Sequence, residues 1–184
     1  MKKLLTPLNI LLALFITSFS SAMAIESPIE GSKSAHIEDF KRAKAFSLEY
    51  MEAMPENGYN FKPTEDIRSF AQQFLHLAGA NFGLTSAIIG DENPLGEKNP
   101  EKEEASQNKE AAMKIVSDSY DHVINAIKSL SEEQWNEQIK LFGNFEMTRA
   151  RAFDKIFEHG THHRGQATIY LRLKGATPPS EKLF

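Results

Sequence analysis

The chain has 184 residues, 41% of them hydrophobic and 25% charged, with 21 basic against 25 acidic side chains. That is the balance of a globular domain in water, and a formal charge of −4 lacks the basic footprint that a nucleic-acid partner requires. There is no cysteine, which excludes a disulfide scaffold, thiolate metal ligands, a cysteine nucleophile and a lipidated cysteine.

Residues 1–24 read as a cleaved secretory signal. Lys2 and Lys3 form a positive n-region, Leu8 to Phe19 is almost entirely apolar, and Ala22-Met23-Ala24 places small residues where a signal peptidase cuts. The apolar core runs to about a dozen residues against the roughly 20 of a membrane span. The expectation is therefore a periplasmic or secreted domain, residues 25–184, with no stable membrane anchor. Losing Lys2 and Lys3 leaves 19 basic against 25 acidic residues, net −6. A domain of this length can bury about 70% of its unfolded surface, so a bound metal is expected to be functional rather than a structural staple.

Residues 25–34 form a Ser- and Pro-containing lead. From Ala35 to Met54, apolar Ile37, Phe40, Ala43, Phe46, Leu48, Tyr50 and Met51 recur at mostly helical spacing and predict a first helix. Pro55-Glu56-Asn57-Gly58 ends it. Thr64 is the expected N-cap of a second helix, in which Ile67, Phe70, Phe74, Leu77, Leu84 and Ile88 make a core stripe. Beside that stripe runs a track of small and polar residues, Ser69, Gln73, His76, Ala80 and Gly83, where a cavity can open between helices.

Asp91 to Glu104, with two prolines and many charges, is expected to be an exposed, solvated loop. A third helix is predicted from Ala105 to Ser129, then a short helix opened by a Ser131/Gln134 capping box and running through Trp135 and Ile139. Gly143-Asn144 breaks the pattern, and a fourth long helix runs from Glu146 to Lys174 until Gly175 stops it. No strand-period stretch of convincing length intervenes. Four long amphipathic helices predict an all-α four-helix bundle, a fold that builds metal sites from side chains of facing helices.

The chemistry concentrates in Glu158-His159-Gly160-Thr161-His162-His163-Arg164-Gly165-Gln166. On a helix, His159 and His163 lie about 40° apart on one face, the geometry of a two-point metal chelate, while His162 lies about 100° from His163 and is turned aside. A third ligand must come from another helix. His76 on the second helix is the strongest candidate, with His36 and His122 the other histidines outside the cluster. Three neutral imidazoles leave the charge of a divalent ion uncompensated and a coordination position open, the pattern of a reactive site. Water at that position would be acidified, with zinc to a pKa of about 7. No HExxH glutamate is present, because Gly160 follows His159. Gln73, Asn81, Gln166 and Tyr170 are the candidate substrate contacts, and His162 and Arg164 the candidates for supporting the ligands. An inward tyrosine is usually core, and an arginine beside such a site more often makes a surface or interhelix ion pair.

The segment His159-Gly-Thr-His-His-Arg-Gly-Gln166, with Tyr170-Leu-Arg-Leu-Lys-Gly175 and Pro178-Pro179, resembles the closing signature of the DinB-like (damage-inducible) family. Phe61-Lys-Pro63, Ile67-Arg-Ser-Phe70 and His76-Leu-Ala-Gly-Ala-Asn81 resemble its second-helix signature, and Thr148-Arg149 its entry to the fourth helix. The likeness spans about Glu38 to Pro179. It implies a four-helix bundle of unusual connectivity, a divalent metal held by His76, His159 and His163 between the second and fourth helices, and commonly a homodimer. Studied relatives include transferases and isomerases that use low-molecular-weight thiols, with nickel, zinc, manganese or iron as the metal. The signal peptide departs from them, since thiol-using relatives work in the cytosol.

The expected function is that of an extracytoplasmic metal-dependent hydrolase or transferase acting on a small-molecule substrate, with zinc or nickel foremost and manganese or iron as the other candidates. The alternative is a non-catalytic small-ligand or metal-binding protein.

Overall fold

The computed structural model describes residues 31–183, so residues 1–24, expected to be a signal segment, lie outside the described residues. Four long helices form the bundle: α1 Lys33–Ala53, α2 Phe70–Ile89, α3 Lys109–Ser129 and α5 Arg149–Leu173. A five-residue helix, α4 Glu132–Asn136, and a two-stranded antiparallel hairpin, β1 Gln138–Leu141 and β2 Phe145–Thr148, lie between α3 and α5. The fourth long helix of the sequence pattern is therefore α5.

Each long helix begins at a side chain that satisfies an orphan backbone N–H: Ser32 for α1, Ser69 for α2, Asn108 for α3 and Thr148 for α5. Buried residues then follow at steps of three and four. In α5 they run Ala152, Phe153, Ile156, Gly160, His163, Arg164, Ala167, Tyr170 and Leu171, so the polar site residues occupy places that the same helix elsewhere gives to apolar ones. Around the bundle the neighbours run α1, α3, α2, α5 and back to α1. Consecutive α1 and α2 thus sit diagonally, which brings α2 against α5.

Several boundaries differ from the sequence pattern. α2 starts at Phe70 and not after Thr64, because Ser69 and Gln72 form a reciprocal capping box while Ile67 is left exposed. α3 starts four residues later than expected, after a 3₁₀ turn at Glu104–Ser106. The segment assigned to the end of the short helix and the start of the fourth is instead the hairpin, with Ile139 paired to Met147 and Lys140 to Glu146. Its four-residue strands are too short for an alternating pattern to stand out. Trp135 is core as expected, stacked on Phe153 at 5.5 Å between ring centroids. No helix among the described residues is long and apolar enough to cross a membrane.

The Ser69 cap sets where α2, and hence Gln73 and His76, begins its helical phase. Replacing Ser69 by Ala is expected to cost about 1 kcal/mol of stability, read as a lower urea midpoint with unchanged slope, while Ser69→Asp should retain most of it.

Candidate metal centre

α2 and α5 pack side by side and bring His76 together with His159 and His163. Each histidine offers one ring nitrogen to a common point, all within 4.8 Å of one another. His159 Nε2 and His163 Nε2 are 3.0 Å apart, and the His76 ring centroid lies 5.3 Å from that of His159 and 4.9 Å from that of His163. Tetrahedral coordination with bonds of about 2.0–2.1 Å separates ligand nitrogens by about 3.3–3.4 Å, so small side-chain rotations fit all three to one ion.

Hydrogen bonding decides which nitrogens are free. The carbonyl of Arg68 can only accept, so it takes the Tyr170 hydroxyl proton at 2.7 Å. The Tyr170 oxygen then accepts from the Gln73 amide nitrogen at 3.0 Å, which leaves Gln73 Oε1 to accept the Nδ1 proton of His163 at 2.7 Å. His163 is thereby held as the tautomer whose Nε2 lone pair is bare and faces His159. Two facing imidazole nitrogens at 3.0 Å need a cation or a proton between them, and His159 Nδ1 is buried with no partner. This donor set suits a metal ion.

His76 is oriented in the same way from the other side. Its Nδ1 lies 3.1 Å from Glu101 Oε2, while Glu101 Oε1 accepts from Arg68 Nε at 2.7 Å. The same Nδ1 is also 3.2 Å from Arg68 Nη2, but it cannot both donate and accept. The anchored carboxylate is the stronger partner, so Nδ1 donates to Glu101 and Nε2 is left bare. Glu101 belongs to the charge-rich loop expected only to be solvated. That loop folds back over α2, and nothing in its local sequence marks Glu101 among its charged neighbours. Arg68 was visible only as part of the Ile67-Arg-Ser-Phe70 motif.

Burial, and then the charge that neighbouring histidines would carry, pulls the pKa of His159 down to about 4 and of His163 down to about 3. Both are neutral at pH 7 and so available as ligands.

The other candidates lie in different places. Gln73 and Tyr170 are buried, with their polar atoms engaged in orienting His163. Gln166 is half-buried, with its amide nitrogen 2.6 Å from Nε2 of exposed His162, and lines a cleft of about 480 Å³ together with Gln73, Arg68 and Glu101. A second cleft of about 380 Å³ opens on the far side of Glu101, lined by His76, Gly79, Ala80 and Asn93. Asn81 is buried away from the histidines and donates to Ser119 on α3 at 3.1 Å. Arg164 turns toward α1 and α3, where it bonds Ser47 and Tyr120 and has no ion-pair partner among the described residues. His36 pairs with Asp154 at 2.8 Å, and His122 lies beside Ser86 and Phe82. Neither belongs to the cluster.

A four-helix bundle with a three-histidine group that could hold a metal ion is the class of protein these features define. The sequence model described as the DinB superfamily matches residues 39–167, and the chain belongs to that superfamily. It is 25% identical over 132 residues to YjoA, an uncharacterised protein of Bacillus subtilis, covering 70% of this chain and 82% of YjoA. The crystal structure of the DinB-like YjoA superposes with a TM-score of 0.62 at 21% identity, covering 81% of this chain and 96% of that one. A DinB-like protein from Bacillus cereus superposes with a TM-score of 0.65 at 11% identity, covering 81% and 97%. At these identities the two structures establish the fold.

Two outcomes follow from the hydrogen bonds and the lowered pKa values. Gln73→Leu removes the acceptor that holds His163, and metal affinity is expected to fall about 10- to 100-fold by competition with a fluorescent chelator. In metal-free protein, unfolded histidines bind protons below pH 6.5 while folded His159 and His163 resist them to about 4 and 3. Their stabilising contribution is complete above pH 6.5 and is lost as pH falls toward those values. The urea midpoint of chelator-treated protein should drop between pH 6.5 and 5, and His159→Leu/His163→Leu should flatten that slope.

Proposed function

We propose that His76, His159 and His163 bind a divalent metal ion, and that the protein is a metal-dependent hydrolase or transferase acting on a small molecule. The observation that carries this reading is the pair of hydrogen-bond supports, one anchored on the Arg68 carbonyl and the other on its guanidinium. Gln73 with Tyr170 behind His163, and Glu101 with Arg68 behind His76, each turn a ring so that a bare nitrogen points to the common centre. A bundle core needs neither device merely to pack.

When bound, such an ion supplies Lewis-acid activation of a water or of a nucleophilic cosubstrate. The protein's own groups do the rest. The buried histidines stay neutral and keep their lone pairs, Glu101 and Arg68 hold their places through a mutual ion pair, and Gln166 with Arg68 offers polar contacts at the mouth of the adjoining cleft. Zinc and nickel suit three imidazoles best, and manganese or iron are the further candidates.

The signal-like residues 1–24 favour a periplasmic or secreted address, where a nucleophile other than a cytosolic thiol is needed. That favours water, and hence hydrolysis, over thiol transfer. A homodimer is the expected assembly by analogy with the family.

Elemental analysis of the purified domain is expected to find one metal ion per chain, lost in His159→Ala and His163→Ala. Stoichiometric metal surviving in both variants would falsify the assignment. Turnover in a panel of ester, amide and thiol-transfer substrates, abolished by His76→Ala, is the expected sign of an enzyme. Metal uptake with no turnover across the panel would favour the non-catalytic binding protein.

A further inference from the structure

We propose that the α1–α5 face holds a second ligand site, separate from the three histidines, that takes a small organic carboxylate with an aromatic or apolar body. Arg164 is the centre of it. This residue is only 6% exposed, and buried cations are ordinarily matched by a buried carboxylate. Its partners here are neutral. Nη1 donates to Tyr120 Oη at 3.1 Å and to Ser47 Oγ at 3.4 Å, and Nη2 donates to Thr161 Oγ1 at 2.9 Å. Burial pushes the Tyr120 hydroxyl above its ordinary range, so it does not supply the missing negative charge. The remaining neighbours are ring faces, Phe46 at 5.7 Å and Phe157 at 5.9 Å.

Of the five guanidinium N–H bonds, three have partners among the described residues. The Nε–H and one N–H of Nη2 remain, and Nε and Nη2 form the edge that grips a carboxylate with two parallel bonds. Nε is not sealed in. Among the described residues the enclosed side-chain atoms without a partner are Thr85 Oγ1 and His159 Nδ1, and Arg164 instead lines a cavity of about 380 Å³. The walls are Phe46, Tyr50 and Phe157, with Arg42 and Lys182 at the rim. Those two rim cations already have acids of their own, Arg42 with Asp39 and Lys182 with Glu49. Glu181, the one carboxylate among the described residues that line the cavity, is exposed and outside ion-pair distance of Arg164.

The backbone makes room for this arrangement. A Cβ on Gly160 would lie 3.3 Å from the Tyr120 hydroxyl and 3.4 Å from Arg164 Nη1, so the glycine inside the histidine cluster leaves the guanidinium and its tyrosine partner uncrowded. The same turn of α5 that offers His159 and His163 to α2 therefore offers Arg164 to α1 and α3.

The test is calorimetric titration of the metal-loaded protein with benzoate, using benzyl alcohol as the uncharged counterpart. Saturable benzoate binding is expected, with benzyl alcohol at least about tenfold weaker. Arg164→Lys keeps the charge but loses the fork, and should weaken benzoate about tenfold or more. Gly165→Glu provides a variant that should fold, since no heavy atom lies within 4 Å of the position its Cβ would take. It lines the cavity and should abolish benzoate binding without lowering the melting temperature. His163→Ala, expected to be without the metal, should leave benzoate binding intact. No saturation at millimolar benzoate, equal binding of benzyl alcohol, an unchanged affinity in Gly165→Glu, or loss of binding in His163→Ala would each overturn the proposal.

Discussion

The hydrogen-bond chain from the Arg68 carbonyl through Tyr170 and Gln73 to His163 is the constraint on which the rest of the site depends. It crosses between α2 and α5 twice, and its direction is forced from one end because a carbonyl can only accept. Each such bond contributes a modest net stabilisation, about 0.5–1.5 kcal/mol, but an unmet buried partner costs about 1–3 kcal/mol. The asymmetry makes the chain a device for specificity more than for stability. It ties the register of the two helices to one tautomer of one histidine.

The second support differs in kind. Glu101 reaches His76 from the α2–α3 loop, a segment with far fewer buried neighbours than the bundle core, and its carboxylate is shared with Arg68. One side of the centre is thus built from rigid helices and the other is closed by a loop held through an ion pair. Such a division suits a site that must keep its ligands in place while admitting a ligand from outside, since loops open at lower free energy than helices. The clefts on either side of Glu101 are consistent with that geometry.

The helical phase of α5 distributes the roles of neighbouring residues. Successive side chains point about 100° apart, so His163 faces α2, Arg164 faces α1 and α3, and His162 faces outward beside Gln166. A motif that looks like one dense cluster in the chain is divided among three surroundings. Much of this was legible beforehand: the helical bundle from apolar spacing, the His159 and His163 pair from a four-residue step, and the aside position of His162 from angular arithmetic. The hairpin was not, because strands of four residues hold too few positions to declare a period. Nor was the start of α2, where Ser69 with Gln72 carries the same Ser-x-x-Gln signal as Ser131 with Gln134 but stands inside a longer apolar pattern.

Local sequence by itself determined the long helices and the placing of His159 and His163 on one face of α5, because helix periodicity is a property of residues within a few positions of one another. It also carried the family resemblance that pointed to His76. Only the tertiary structure decided what Gln73, Tyr170, Glu101 and Arg164 do. Gln73 lies 90 positions from His163, and Glu101 lies 25 from His76. Whether a polar side chain at such a separation meets a substrate or a ligand's ring nitrogen depends on how two helices are packed and rotated against each other. No local pattern encodes that rotation, since it is set by the sum of buried contacts across the whole core.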